Sequence, residues 1–268
     1  ITAAWNRAYP AINTCNGIIE NARLSEGLTT EQKEALIAEA RYLRAHWYFI
    51  LVQMFGPVTM DMGSGILKFN ITPSDQFTRE PVPVVYDSIV ADLEFASANL
   101  PDGRPAARGR AWKASALHLL SKVYLTRAWS EAAKPGNADF ESALSAAKEL
   151  IDNRELYGVE LLENYEEVHQ EGNEGNSEVL WTVEWNNQSL FNTAVTDGVD
   201  GETGNRQNRS NFFFRFVYDQ LEGKRRNIQK GRRGARFRPT DWLLYTAFAD
   251  KENDSRYHGS FKTVWYSN

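Results

Sequence analysis

The chain has 268 residues and a mass of 30.5 kDa, enough for one large domain or two smaller ones with a substantial core. Apolar residues make up 42% and charged residues 24%, which excludes wholesale disorder and fibrous repeats. A net charge of −5 excludes a molecule that binds polyanions over its whole surface. Aromatics reach 12%, with eight Trp and eleven Tyr, as in ring-filled helical cores and in surfaces that stack on flat ligands. The single cysteine, Cys15, cannot close an internal disulfide. Four histidines are too few for a structural zinc site, so neither metal nor cofactor is expected.

Trp5, Tyr9, Ile12, Asn16, Ile19 and Arg23 share one face at three-four spacing and predict a helix over 5–24, with Pro10 as a kink or early break. Thr30 stands before Glu31, Gln32 and Lys33, as an N-cap should. From there Leu36, Ala40, Leu43, Trp47, Ile50 and Met54 keep helical spacing, and the opposite side is also apolar from Tyr42 to Phe55. Such a helix is buried on most of its circumference, as in a multi-helix stack. Gly56-Pro57 ends it.

Residues 57–80, with Gly63, Gly65 and Pro73, lack periodicity and suit a loop crossing the surface. A third helix is predicted over 83–99, with Val85, Ile89, Leu93, Ala96 and Leu100 inward, then a turn-rich connector at 102–109. A fourth follows over 111–132, with Trp112, Ala116, Leu120, Val123 and Ala128 inward. After Pro135-Gly136 a fifth covers 139–152 with Phe140, Ala143, Ala147 and Leu150. The last two read as a helical-repeat pair in which alanines let the backbones approach and Tyr124 and Phe140 fill the gap. No self-similar period holds over three units, so the stack is expected to be repeat-like but irregular.

Beyond 153 the pattern changes. Residues 178–185, EVLWTVEW, read as a short strand. The stretch 186–211 holds six Asn, two Gln and three Gly, a long insert of the kind that carries binding surfaces. Phe212, Phe213, Phe214 and Phe216 follow as an apolar cluster, and a last helix is predicted from Thr240-Asp241 through Ala249.

Between 223 and 238 stand eight Lys or Arg and no acid. Glycines interrupt that run, and the acidic remainder of the chain would repel a nucleic acid, so no nucleic-acid partner is expected. Catalytic motifs for metalloproteases, P-loops, serine hydrolases and dinucleotide binding are absent. His46 and His118 sit within packed helices, where a satisfied core histidine is the default. Glu166, Glu167, Asp250, Glu252 and Asp254 read as ordinary surface, so no catalytic residue and no enzyme activity is expected.

Five segments in order carry a resemblance. EARYLRAHWYF at 39–49 with Phe55-Gly56-Pro57-Val58, YDSIVADLEFASANLP at 86–101, GRAWKASALHLLSKVYLTRA at 109–128, NSEVLWTVEW at 176–185, and FRPTDWLLY with DSRYHGSFKTVWY between 237 and 266 resemble the SusD/RagB family of outer-membrane nutrient-binding lipoproteins of Bacteroidetes. The resemblance covers nearly the whole chain. It implies a mostly α fold, a tetratricopeptide-like helical stack with long irregular loops and a few short strands. In that picture residues 1–268 form one domain, helical over about 1–155 and loop-rich and ligand-facing over 156–268. It further implies a surface-exposed position on the outer membrane, capture of a glycan or peptide, and delivery to a SusC-like TonB-dependent transporter without catalysis. Family members begin with a lipidated cysteine and are longer, so on that resemblance the chain is a fragment without its lipid anchor and C-terminal part. Cys15, mid-helix, is not the lipidated residue.

Sugars offer hydroxyl pairs and weakly apolar ring faces, so a site for them needs flat aromatics beside planar amides. Trp185, Asn186, Asn187, Gln188 and Phe191 have that combination directly after the predicted strand, and Trp5 with Asn6 repeats it at the first helix. Each group has a plainer role, core packing for the tryptophans and turn chemistry for the asparagines. Glu39, Arg41 and Arg44 belong to the signature helix and are expected to form an ion-pair network between packed helices. The alternative function is a helical-repeat scaffold that binds another protein and no small ligand.

Overall fold

Capping and chain-breaking residues set the helix boundaries in the structure, a computed structural model that describes residues 2–72, 74–133, 136–184, 194–195, 204–205, 222–223 and 238–261. Helix α1 spans Thr2–Leu24 and runs through Pro10 without breaking. Proline removes only the hydrogen bond to the Asn6 carbonyl, and packing of the helix on its neighbour outweighs that local loss. Arg23, expected inward, is exposed, and Ala8, Ile12, Cys15, Asn16, Ile19 and Ala22 form the buried face.

Helix α2 spans Thr30–Phe55, and its N-cap is Thr29, one residue earlier than predicted. Thr29 Oγ1 accepts from the Gln32 amide at 3.3 Å while the Thr29 amide donates to Gln32 Oε1 at 3.0 Å. Only Thr29 has a Gln or Glu three residues on, so only Thr29 closes this reciprocal box. Gly56, at φ 71°, ends the helix. The buried face of α2 carries Ile37, Ala38, Ala40, Tyr42, Arg44, Ala45, Tyr48, Phe49, Leu51 and Val52. Leu36 and Met54, at the ends of the predicted stripe, lie exposed at 37% and 49%.

Helix α3 (Val82–Asn99) ends before Leu100-Pro101, and its predicted inward residues Val85, Ile89, Leu93, Ala96 and Leu100 are all buried. Full burial of each larger aliphatic among them contributes about 1.5–3 kcal/mol. Helix α4 (Lys113–Trp129) starts one residue after Trp112, which sits at its N-cap, and α5 spans Ala138–Asp152. A short α6 (Arg154–Tyr157) closes the helical part. The helices stack in chain order, α1 on α2, α2 on α3, α3 on α4 and α4 on α5. The fold is mostly helical and tetratricopeptide-like. Phe140 does not fill the α4–α5 gap as predicted. It lies on the surface in an edge-to-face pair with Trp129, ring centroids 5.6 Å apart. Tyr124 is buried, and its hydroxyl donates to Glu94 Oε1 at 2.7 Å.

The described residues group into two compact units. One takes in the chain up to Glu160 with Leu180–Val183, and the other takes in Leu161–Val179 and the described residues from Glu184 on. The predicted strand at 178–185 is not formed over 178–184. Two indoles tie the segment down instead: the Trp112 indole donates to the Leu180 carbonyl at 2.6 Å and the Trp181 indole donates to the Gly109 carbonyl at 2.9 Å. The second unit holds a 3-10 turn at Tyr165–His169, a two-residue antiparallel pairing of β1 (Ala194–Val195) with β2 (Gly204–Asn205), and helix α7 (Ser255–Ser260), N-capped by Asp254. The last predicted helix forms over 241–247, with two α-helical residues followed by a π-helical turn at Leu243–Ala247.

Charge pairs bridge the stack as expected from the signature helix. Arg44 on α2 grips Asp92 on α3 with two bonds of 2.8 Å, and both residues are 4% exposed. The third donor of Arg44 reaches Asn16 Oδ1 on α1 at 2.6 Å. Arg41 lies 3.8 Å from the same Asp92, with its guanidinium over the Phe95 ring at 4.1 Å. Glu39 takes Arg110 by two bonds of 2.6 and 2.5 Å, and Arg127 on α4 joins Asp139 on α5 and Asp87 on α3. The Arg44–Asp92 pair is the only one of these with both members sealed from water. Removing one partner of such a pair leaves an uncompensated charge. Arg44→Ala is therefore expected to lower the unfolding free energy by about 3–5 kcal/mol, read from urea unfolding. The apolar double variant Arg44→Met/Asp92→Leu should recover most of that loss.

Candidate functional site

The first turns of α1 and the segment between α2 and α3 enclose a cavity of about 510 Å³ lined by Trp5, Asn6, Tyr9, Thr59, Met62, Asn70, Ser74 and Phe77. Trp5 and Tyr9, one helical turn apart, pack with ring centroids 4.8 Å apart and planes tilted by 55°, and Phe55 meets Trp5 edge-to-face at 5.0 Å. The indole is thus fixed by two aromatic neighbours. The Tyr9 hydroxyl donates to the Thr59 carbonyl at 3.2 Å, which ties the helix to the opposite wall. Burial pushes the Tyr9 phenol above its ordinary value, against the weaker opposing pull of Thr59 and the Arg79 charge. Tyr9 therefore stays a neutral donor at any working pH.

The opposite wall is the irregular loop that composition suggests, but its base is buried. Val58, Thr59 and Met60 are buried, Glu80 pairs with Val58 through a 2.8 Å backbone bond, and Leu67 returns to Met60 at 3.0 Å. Asp61 Oδ1 accepts from the amides of Gly63 and Gly65, both at 2.8 Å, and so folds the tip. Gly63 has φ 114°, and a Cβ there would come within 2.9 Å of Ser74 Cβ, so no other residue fits. The Asn70 side chain donates to the Met62 carbonyl and accepts from Ser64 Oγ and the Thr72 amide. Its amide is engaged within the loop although it lines the cavity.

The polar groups left to meet a ligand are few. Among the described residues nothing hydrogen-bonds the Asn6 side-chain amide. Ser74 Oγ, already accepting from the Gln76 amide at 3.1 Å, keeps its proton to donate, and Thr59 lines the cavity with its carbonyl engaged by Tyr9. A mostly apolar cavity with rings on one side and an amide plus hydroxyls to fix orientation has the make-up of a small-molecule site, and its volume lies within the usual 300–1,000 Å³. Ring faces suit the C–H faces of a sugar, and a primary amide can donate to one hydroxyl while accepting from its neighbour.

Of the residues singled out in the sequence, Trp5 and Asn6 are brought together here. Trp185, Asn186, Asn187 and Phe191 lie outside the described residues, as do Gln188, the phenylalanine cluster at 212–216 and most of the basic run from 223. Tyr9, Thr59, Met62, Asn70, Ser74 and Phe77 were not foreseen. Only Tyr9, on the same helical stripe as Trp5, had a signal in the sequence. His46 packs against Trp181, with ring centroids 5.2 Å apart, and burial, then the Lys122 charge, hold its imidazole below the ordinary value. His118, expected in the core, points outward from α4.

The family model of SusD-like proteins, described as starch-binding and associating with the outer membrane, matches residues 1–125. A solved structure of a laminarin-binding SusD-like protein aligns over 96% of this chain and 51% of its own, with a TM-score of 0.71 and 27% identity. In sequence over residues 1–125, and in fold, the chain is SusD-like. A SusD-like protein of Bacteroides ovatus is 29% identical over 215 residues, 75% of this chain and 38% of the relative. A structure solved with a xylogluco-oligosaccharide is 29% identical over 69% of this chain and 35% of its own, with a TM-score of 0.58. The chain thus spans about two fifths of the length of its Bacteroides SusD-like relative. Within the SusD-like frame the Tyr9–Thr59 bond links the two walls of the cavity. Tyr9→Phe is expected to cost about 1 kcal/mol in chemical unfolding with unchanged far-ultraviolet circular dichroism, since a part-buried carbonyl loses its donor.

Proposed function

We propose that this SusD-like chain is part of a cell-surface protein that captures a glycan without altering it, and that the cavity at Trp5, Asn6 and Tyr9 holds a portion of that glycan. The observation that carries this is the convergence, in one preformed cavity, of a fixed indole face and a primary amide with no partner among the described residues. Two solved structures similar to this chain add weight, one described as a laminarin-binding SusD-like protein and one solved with a xylogluco-oligosaccharide. The captured glycan is handed to a SusC-like TonB-dependent transporter in the outer membrane, where a lipid anchor holds the protein outside the cell. Trp185, Asn186, Asn187 and Phe191 are proposed as a second ring-and-amide patch for the same glycan.

The scaffold alternative has one observation in its favour, the exposed apolar stripe of Leu125 and Trp129 on α4 with Phe140 and Leu144 on α5. The cavity joins apolar faces to polar groups in one recess, and the glycan reading is preferred.

The test is titration calorimetry with laminarin oligosaccharides and xylogluco-oligosaccharides. Asn6→Ala and Trp5→Ala should each weaken binding tenfold or more, a loss of about 1.4 kcal/mol, with the Asn6 variant as stable as wild type. Trp185→Ala should weaken binding with unchanged circular dichroism. Wild-type affinity in both the Asn6 and Trp5 variants would remove the cavity from the site.

A further inference from the structure

We infer that Asn13 is a positioning residue for the cavity: without lining it, its side chain holds the loop wall in register on α1. The inference rests on the glycan reading of the cavity and adds to it the residue that sets the shape of the wall.

Asn6, Tyr9, Asn13 and Asn16 follow one another along a single stripe of α1, at helical spacings of three and four. The first two line the cavity, and the next two fasten the loop. Asn13 Nδ2 donates to the Asn70 carbonyl at 2.8 Å, and Asn13 Oδ1 accepts from the Asn70 amide at 2.9 Å. One side chain thereby engages both backbone groups of a residue 57 positions away, as a neighbouring strand would. Asn16 repeats the device: its Nδ2 donates to the Lys68 carbonyl at 3.1 Å while its Oδ1 is held by Arg44. Between these two fastenings the Phe69 ring lies against Gly17, where a Cβ would stand 3.0 Å from the ring.

The register fixed at residue 70 passes to the cavity through Asn70 itself. With its backbone held by Asn13, its amide side chain reaches the Met62 carbonyl, Ser64 Oγ and the Thr72 amide. Met62 is a wall of the cavity, and Gly63, packed on Ser74, carries the same constraint to a second wall residue. Release of Asn13 frees Asn70, and with it the spacing between the Met62 and Ser74 side and the indole of Trp5. The wall is positioned by bonds that one substitution removes.

Two readouts test this on the intact chain. In hydrogen exchange, Asn13→Ala should speed the exchange of the Asn70 amide about tenfold, the equivalent of one net hydrogen bond, while amides in the middle of α2 and α3 keep their wild-type rates. In calorimetry with laminarin oligosaccharides and xylogluco-oligosaccharides, the same variant should bind at least fivefold more weakly. Asn13→Asp keeps the acceptor for the Asn70 amide and loses the donor to its carbonyl, so it should restore slow exchange at residue 70 and part of the affinity. A positioning role predicts that graded order, and a merely structural role does not. Unchanged exchange at Asn70, or faster exchange with wild-type affinity, would overturn the inference, as would general loss of protection across α2 and α3 in both variants. If the wild-type chain binds neither sugar, the glycan reading fails, and the exchange comparison still decides whether Asn13 fastens the wall.

Discussion

Everything in the helical unit converges on the sealed ion pair of Arg44 and Asp92. A charged pair taken out of water is tolerated only when its geometry is good and its remaining hydrogen-bonding groups are met. Here both carboxylate oxygens accept from the guanidinium, and the outward-pointing nitrogen finds Asn16 Oδ1 and, at 3.5 Å, the Leu67 carbonyl. Three helices and the intervening loop therefore meet at one guanidinium. An apolar core alone would leave the rotation of α1 against α2 to side-chain packing. The directional bonds of Arg44 fix it, because only one arrangement satisfies all the donors at once.

From that junction order spreads outward by the same means. Tyr124 and Glu94 join α4 to α3, Arg127 holds Asp139 and Asp87, and Glu39 grips Arg110 at the connector before α4. On the other side, α1 presents a row of amides that takes hold of residues 68–70. The cavity forms where this row continues into Tyr9, Asn6 and Trp5. Its rigidity is thus borrowed from the core, and a ligand would meet a surface whose conformational cost is already met in folding.

How far the amino-acid sequence foretold this differs from element to element, for physical reasons. Helix α3 has one clean apolar stripe, and its buried residues follow directly from periodicity. Helix α2 is apolar on two sides, so periodicity marks it as a helix but cannot choose between the Leu36–Met54 stripe and the Tyr42–Phe49 side. The choice is made by Arg44, whose charge must find Asp92. Its start was readable, since Gln32 lies three residues after Thr29 and not after Thr30. Alternation of Val and Trp after Glu178 suggested a strand, but two indole N–H groups with carbonyl partners far along the chain dictated an irregular path. Half of the candidate cavity was legible as the ring-and-amide pair Trp5-Asn6. The other half comes from a loop whose shape is set by side-chain bonds spanning more than fifty residues, and such bonds leave no local periodicity.

The way this loop is tied down divides it into an inherited part and an adaptable part. Residues 58–70 are anchored by backbone pairing and by the asparagines of α1, while Ser74 and Gln76, further on, bond to each other within the turn. Exchange of side chains along that outer stretch can recut the mouth of the cavity, through Phe77, and leave the anchored part as it stands. A lineage that diversifies its sugars could therefore keep one frame and vary a handful of neighbouring codons.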